Sequence, residues 1–334
     1  MIRSSVKNHI DVRSNMNQKP PLIILTGPTG VGKTALSIAL AKRLNGEIIS
    51  ADSMQVYRRM DIGSAKIRAE EAGGVPHHMI DILEPTESFN ITMFQEYAKR
   101  YIDEIMLRGR LPILVGGTGF YIQSVLYDIA FTKEEDGGAY RKELEALCAQ
   151  KGEAYLHDML RKVDSASADA IHKNNSKRVI RALEYYRLTG QKISEHNSKQ
   201  RERESAYNAC YFVLNDERET LYRQIDARVD QMLEDGLVEE VKALRQAGCG
   251  RNMVSMQGLG YKEILDYLEG EISLERAVYL IKRDTRHFAK RQLTWFRRER
   301  GVIWVDKREF GYDNDKILTY MTEQIEKKGI GNSL

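Results

Sequence analysis

The sequence predicts an α/β fold: a parallel sheet with helices on both faces, interrupted by an inserted helical subdomain. Short strand patterns at 22–26, 47–50, 111–115, 209–214 and 302–305 alternate with helical patterns, and such alternation means parallel strands covered on both sides. From about residue 139 to 202 the strand signal disappears and a Lys-, Arg- and Glu-rich helical pattern replaces it.

Each element has its own signal. The run at 22–26 is apolar and stops at Gly27, as a buried strand stops at a turn. The Ala- and Leu-rich stretch 33–44 is helical. Residues 47–50 form a second strand, ended by the polar cluster Ala51-Asp52-Ser53. Residues 94–108 carry apolar positions at helical spacing. The strand at 111–115 ends in Gly116-Gly117-Thr118-Gly119. After the insertion, helical patterns at 217–233, 237–246, 262–268 and 274–298 lead to a last strand at 302–305. The expected division is a flexible tail over 1–20, a core formed by 21–127 and 206–310, an insertion over 128–205, and a C-terminal helix and tail over 311–334.

Composition narrows the class. A chain of 334 residues suits one large domain or two unequal ones, since single cores stop growing at roughly 250–300 residues. A net charge of +3 excludes no partner, so charge distribution matters more than charge balance. Cys148, Cys210 and Cys249 have no metal-ligand spacing and read as free thiols in a reducing compartment. Residues 1–20 lack an apolar signal region, and no apolar run approaches the roughly 20 residues of a membrane span. A cytoplasmic protein with no membrane partner, acting as a monomer, is expected.

The strongest motif is Gly27-Pro28-Thr29-Gly30-Val31-Gly32-Lys33-Thr34, which matches G-x-x-x-x-G-K-[ST] between a strand and a helix. The glycines let the backbone wrap an anion, the helix start adds positive potential, Lys33 reaches outer phosphates, and the Thr34 hydroxyl suits Mg²⁺. The core is therefore a P-loop core. The motif leaves open a kinase or NTPase, a transferase with diphosphate as leaving group, and a non-catalytic RNA-binding protein of similar fold. An NTPase needs a second acid after an apolar strand, but the strand at 111–115 ends without one. The nearest such acid, Asp52, follows the second strand at the carboxyl edge, where open α/β sheets bind ligands. It can ligate Mg²⁺, act as a base, or simply order a turn.

Further stretches surround these: Met60-Asp61-Ile62-Gly63-Ser64-Ala65-Lys66, Pro76-His77-His78, Val115 to Tyr121, Lys177 to Glu184, Gly258-Leu259-Gly260-Tyr261 and Thr285 to Arg297. With the phosphate loop and Ser50 to Tyr57, this ordered set resembles the tRNA dimethylallyltransferase family, also called tRNA isopentenyltransferase. The resemblance covers most of residues 22–305. It implies transfer of a dimethylallyl group from dimethylallyl diphosphate to N6 of the adenosine 3′-adjacent to the anticodon, with Mg²⁺ as cofactor and the tRNA anticodon arm as partner. Carried over by position, Asp52 is the general base, while Thr34 and Arg228 serve the diphosphate with the loop residues 27–34. Asp52, Ser53, Met54, Gln55, Thr118, Gly260 and Tyr261 fall among tRNA contacts. One departure is Gln224, where the family often carries arginine; here Arg223 stands one place earlier.

Basic residues supply the remaining tRNA expectations. On the helix at 274–298, Arg283, Arg286, Lys290 and Arg297 share a face, and Arg286, Lys290 and Arg291 are expected at phosphates. In the insertion, Arg141, Lys177, Arg178 and Arg181 are expected at tRNA, with Lys173 beside them. His77 and His78, adjacent on an extended segment, point opposite ways and read as structural rather than as a metal pair.

Overall fold

The computed structural model describes residues 19–131 and 138–330. They form two compact units. One takes in the described residues up to Leu126 and from Ala206 onward; the other is Tyr127–Ser205. Of the tail expected over 1–20, residues 1–18 lie outside the described residues, as do 331–334.

The first unit starts with β1 (Pro21–Thr26), in which Leu22, Ile23, Ile24 and Leu25 are all fully buried. It continues through α1 (Lys33–Leu44), β2 (Gly46–Ser50), the single turn α2 (Ala69–Ala72), β3 (His77–His78), α3 (Ile91–Leu107), β4 (Leu111–Gly116) and α4 (Gly119–Leu126). The second unit supplies α5 (Ala139–Lys151), α6 (Glu153–Val163), α7 (Ser165–Ala170), α8 (Ser176–Thr189) and α9 (Ile193–Glu202). The first unit then resumes with β5 (Asn208–Asn215), α10 (Arg218–Glu234), α11 (Leu237–Gln246), α12 (Tyr261–Leu268), α13 (Leu274–Phe296), β6 (Val302–Asp306) and α14 (Asn314–Lys327).

The six strands form one sheet in the order β3-β2-β4-β1-β5-β6, and every pairing is parallel. Side-chain alternation divides the core. Ile23, Leu25, Ile113 and Phe212 pack with Leu36 and Leu40 of α1 and Ile317 and Met321 of α14. Ile24, Ile49 and Leu114 are buried as well, on the opposite side of the same strands. There α3, which packs against β2 and β4, turns in Phe94, Ala98 and Ile102. The start of α3 is fixed by Asn90, whose side-chain oxygen accepts the N–H groups of Thr92 and Met93, each at 3.0 Å.

Three elements escaped the sequence. Strand β3 is only two residues long, α2 is a single four-residue turn, and α4 follows β4 directly after the two-residue turn Gly117-Thr118.

The second unit has a core of its own, built on Leu144, Leu156, Leu160, Val179 and Leu183. Buried Asp164 accepts from the backbone and hydroxyl of Ser167 and from those of Ser194, tying α7 to α9. No helix among the described residues is long and apolar enough to cross a membrane.

Candidate active site

The turns after β1, β2 and β4 surround a cavity of about 300 Å³. The first turn is the phosphate loop. Gly30 and Gly32 hold φ of +83° and +91°, values that a side chain resists, so the glycines permit the wrap. Thr29, Gly30, Gly32, Lys33 and Thr34 line the cavity, whereas the Val31 side chain is buried in the core. The first turn of α1 carries no acidic residue and no side-chain cap, leaving its N–H groups open toward the cavity. Lys33 Nζ donates to the carbonyls of Gly27 at 3.0 Å and Pro28 at 2.9 Å. Burial and then nearby Arg228 push the Lys33 ammonium down to about 7, against an opposing pull from Asp52.

Arg228, on α10, lines the same cavity and makes no ion pair among the described residues. Burial lowers its pKa and Asp52 opposes the shift. Two buried basic groups that repel each other, with Asp52 alone opposing the shift of each, favour a bound anion. One helical turn earlier, Gln224 also lines the cavity, and its side-chain oxygen is buried without a hydrogen-bond partner.

The turn after β2 carries Asp52. One carboxylate oxygen accepts the Met54 N–H at 2.8 Å, so Asp52 does order its turn; the other has no protein donor among the described residues. Beside it, Gln55 accepts from the Ser50 hydroxyl at 2.8 Å and lines the cavity. Ser53, Met54 and Thr118 flank the lining rather than form it. The Met54 thioether lies against Gly258, and the Thr118 carbonyl accepts the N–H groups that open α4.

Apolar residues also line the cavity: Ile48, Ile67, Ile80, Val115 and Phe288. His77 lines it too, while its neighbour His78 turns away to Glu47 at 2.6 Å. Burial lowers the His77 pKa against the Val75 carbonyl that its ring contacts at 2.8 Å, which keeps this imidazole uncharged at neutral pH.

Gln292 was not anticipated. It is buried on α13, accepts the Thr29 N–H at 2.9 Å and donates to the Gly117 carbonyl at 2.9 Å, so one amide joins the phosphate loop to the turn after β4. Its signal in the sequence was a lone polar residue on an otherwise apolar stripe that includes Ile281, Ala289 and Phe296.

Four of the expected tRNA contacts are buried or already paired within the protein. Gly260 and Tyr261 are buried, so neither offers a surface to RNA. Arg286 is committed to Asp226, with both carboxylate oxygens at 2.7 Å. Arg141 is committed to buried Glu184, at 2.9 and 2.6 Å. The other basic residues differ: Lys177, Arg178, Lys290 and Arg291 are exposed and make no ion pair among the described residues, and Arg181 is half-buried.

A family model described as IPP transferase matches residues 55–299. The chain belongs to the IPP transferase family. Among its relatives is the tRNA dimethylallyltransferase of Lachnoclostridium phytofermentans, 60% identical over 310 residues that cover 93% of this chain and 99% of the relative. The enzyme of the same name from Bacillus licheniformis is 53% identical over 311 residues, 92% of this chain and 98% of its own. Among solved structures, the tRNA isopentenylpyrophosphate transferase of Bacillus halodurans matches with a TM-score of 0.70 at 48% identity, covering 93% of this chain and 98% of the other. A eukaryotic dimethylallyltransferase acting on tRNA matches with a TM-score of 0.74 at 32% identity, covering 86% and 74%. The chain thus shares its fold with these family members over most of its length.

Proposed function

We propose that the protein transfers a dimethylallyl group from dimethylallyl diphosphate to N6 of the adenosine 3′-adjacent to the anticodon in tRNA, releasing diphosphate. The names of its near full-length relatives support both the group and the acceptor. The observation that carries the chemistry is that a carboxylate with one open oxygen shares a single cavity with an anion loop and an arginine without an ion pair. We place the reaction in the cytoplasm, carried out by a monomer.

Diphosphate leaves readily only when its developing charge is met. Lys33, Arg228 and the open amides of the loop and α1 supply that charge; the Thr29 N–H is taken by Gln292. The donor C–O bond breaks as the N6–C bond forms, and the open oxygen of Asp52 takes the N6 proton. The apolar residues of the lining, Ile48, Ile67, Ile80, Val115 and Phe288, suit the five-carbon tail. The base enters by flipping out of its stack, with Gln55 and Thr118 near it. Mg²⁺ fits the donor set. Thr34 offers an oxygen ligand in the cavity, and among the described residues no three or more His, Cys, Asp or Glu are grouped to hold a metal ion, so phosphate oxygens and water would complete its shell. Bound there, it would neutralise charge on the leaving diphosphate.

The test is incubation of unmodified tRNA with radiolabelled dimethylallyl diphosphate, with ATP in a parallel tube. Label should enter tRNA without ATP, and Asp52→Ala should cut turnover by about 10²–10⁴ while leaving tRNA binding intact. ATP-dependent phosphorylation of an acceptor would replace this reading with a kinase, and near wild-type turnover in the variant would remove Asp52 as the base.

A further inference from the structure

Two stretches singled out in the sequence, 60–66 and 258–261, take no part in the chemistry above, yet they meet at Glu240 near the start of α11. Glu240 Oε2 accepts the N–H groups of Asp61 and Ile62, both at 2.8 Å, and Oε1 accepts that of Gly63 at 3.1 Å. The Tyr261 hydroxyl donates to Oε1 at 2.8 Å and accepts the Ser64 N–H at 3.1 Å. Four successive backbone donors are therefore satisfied by one carboxylate and one phenol. The fit is close: the Tyr261 ring is fully buried, and a Cβ at Gly63 would lie 2.6 Å from it.

This loop forms part of the cavity wall. Ser64 and Ala65 line it, and their carbonyls face the Gln55 side-chain amide at 3.4 Å each, while Ser50 holds the other end of that amide at 2.8 Å. We propose that Glu240 and Tyr261 are positioning residues: they set the 61–65 loop, and through it the Gln55 amide, for the acceptor nucleotide. Neither side chain lines the cavity, so each acts at a distance through backbone it holds. The proposal rests on the reading of the reaction given above, in which Gln55 lies at the flipped base.

Tyr261→Phe keeps the ring and its packing but removes the Glu240 and Ser64 hydrogen bonds. Glu240→Gln turns one acceptor oxygen into a donor facing donors. Steady-state kinetics for both substrates, in the wild-type and Gln55→Ala backgrounds, read the effect. Misplacement by about 1 Å can cost about 10²-fold, so a partly released loop should lower kcat/KM for tRNA by about 10-fold in Tyr261→Phe, with the donor KM within about 2-fold. In the Gln55→Ala background the same change should cost less than about 2-fold, because the group being positioned is gone. Glu240→Gln should follow the same pattern more strongly; if it does not fold, Tyr261→Phe decides alone. Equal losses in both backgrounds, a matching rise in donor KM, or an unchanged kcat/KM would overturn the proposal. A wild-type protein that labels no tRNA would overturn the reaction itself, and the inference with it.

Discussion

Glu299 shows how one side chain records its surroundings. Its carboxyl is pushed up to about 7 by burial, against the downward pull of the Gln123 amide, 2.7 Å from one oxygen, and of Trp295. The folded value lies above the ordinary 4.5, so folding favours the protonated form. This contribution to stability is complete below about 4.5 and is lost as pH rises through about 7. Glu299→Gln removes the titration. The variant should therefore gain on wild type between about pH 5 and about pH 8, by on the order of 1 kcal/mol once the partial exposure of the group is allowed for. Melting temperatures across that range check it, and a constant difference would mean that Glu299 does not titrate as described. Residues differ in how legible they were. Asp52 and Lys33 could be named from the sequence because each follows a strand within a local motif. Gln292 and Glu240 could not, because their partners lie 175–263 and 21–179 positions away, and no local pattern announces such pairings.

At the scale of elements, α13 divides its charges between structure and solvent. Toward its start, Lys282 pairs with Asp230 at 2.5 Å and Arg286 with Asp226, both acids on α10, while Arg283 folds onto its neighbour Asp284. Toward its end, Lys290 and Arg291 are exposed, Arg291 lying over the Phe288 ring. The helical spacing showed a basic face but not which cations were already neutralised, since the acids come from another helix. The consequence is measurable as salt dependence. Lys290→Ala and Arg291→Ala should each flatten the slope of log tRNA affinity against log salt by about one unit, the loss of one phosphate contact. Arg286→Ala should leave that slope unchanged and instead cost about 1 kcal/mol of stability, because it strands Asp226 in a partly buried position. A slope change in Arg286→Ala equal to the other two would mean that the Asp226 pair opens to bind RNA. The elements missed in the sequence, β3, α2 and α4, fail for a different reason: the first two are too short for any period to show, and the third starts inside a glycine-rich turn that reads as a loop.

At the scale of the molecule, the chain leaves its first unit after Leu126 and re-enters it at Ala206. The Ala206 N–H donates to the Leu126 carbonyl at 2.8 Å, so the two ends of the excursion are already adjacent. The excursion was visible in the sequence as a change from alternating strands and helices to helices alone, and each unit buries its own apolar cluster. The cavity with Lys33, Asp52 and Arg228 is lined wholly by the first unit. Exposed Lys177 and Arg178 belong to the second, and we assign them to tRNA phosphates. Replacing residues 127–205 with a short Gly/Ser linker should therefore separate the two tasks. Closing a loop of a few residues between adjacent ends costs little entropy, so the first unit should still fold cooperatively. The excised chain should bind dimethylallyl diphosphate with an affinity within about 3-fold of the full chain, because every lining residue is retained. Its tRNA affinity should fall by about 10-fold or more, as expected when at least two phosphate contacts are lost. Calorimetry with the donor and filter binding with tRNA give the two numbers from one preparation. Unchanged tRNA affinity would place RNA recognition entirely in the first unit, and loss of donor binding in a folded excised chain would show that the cavity depends on the insertion.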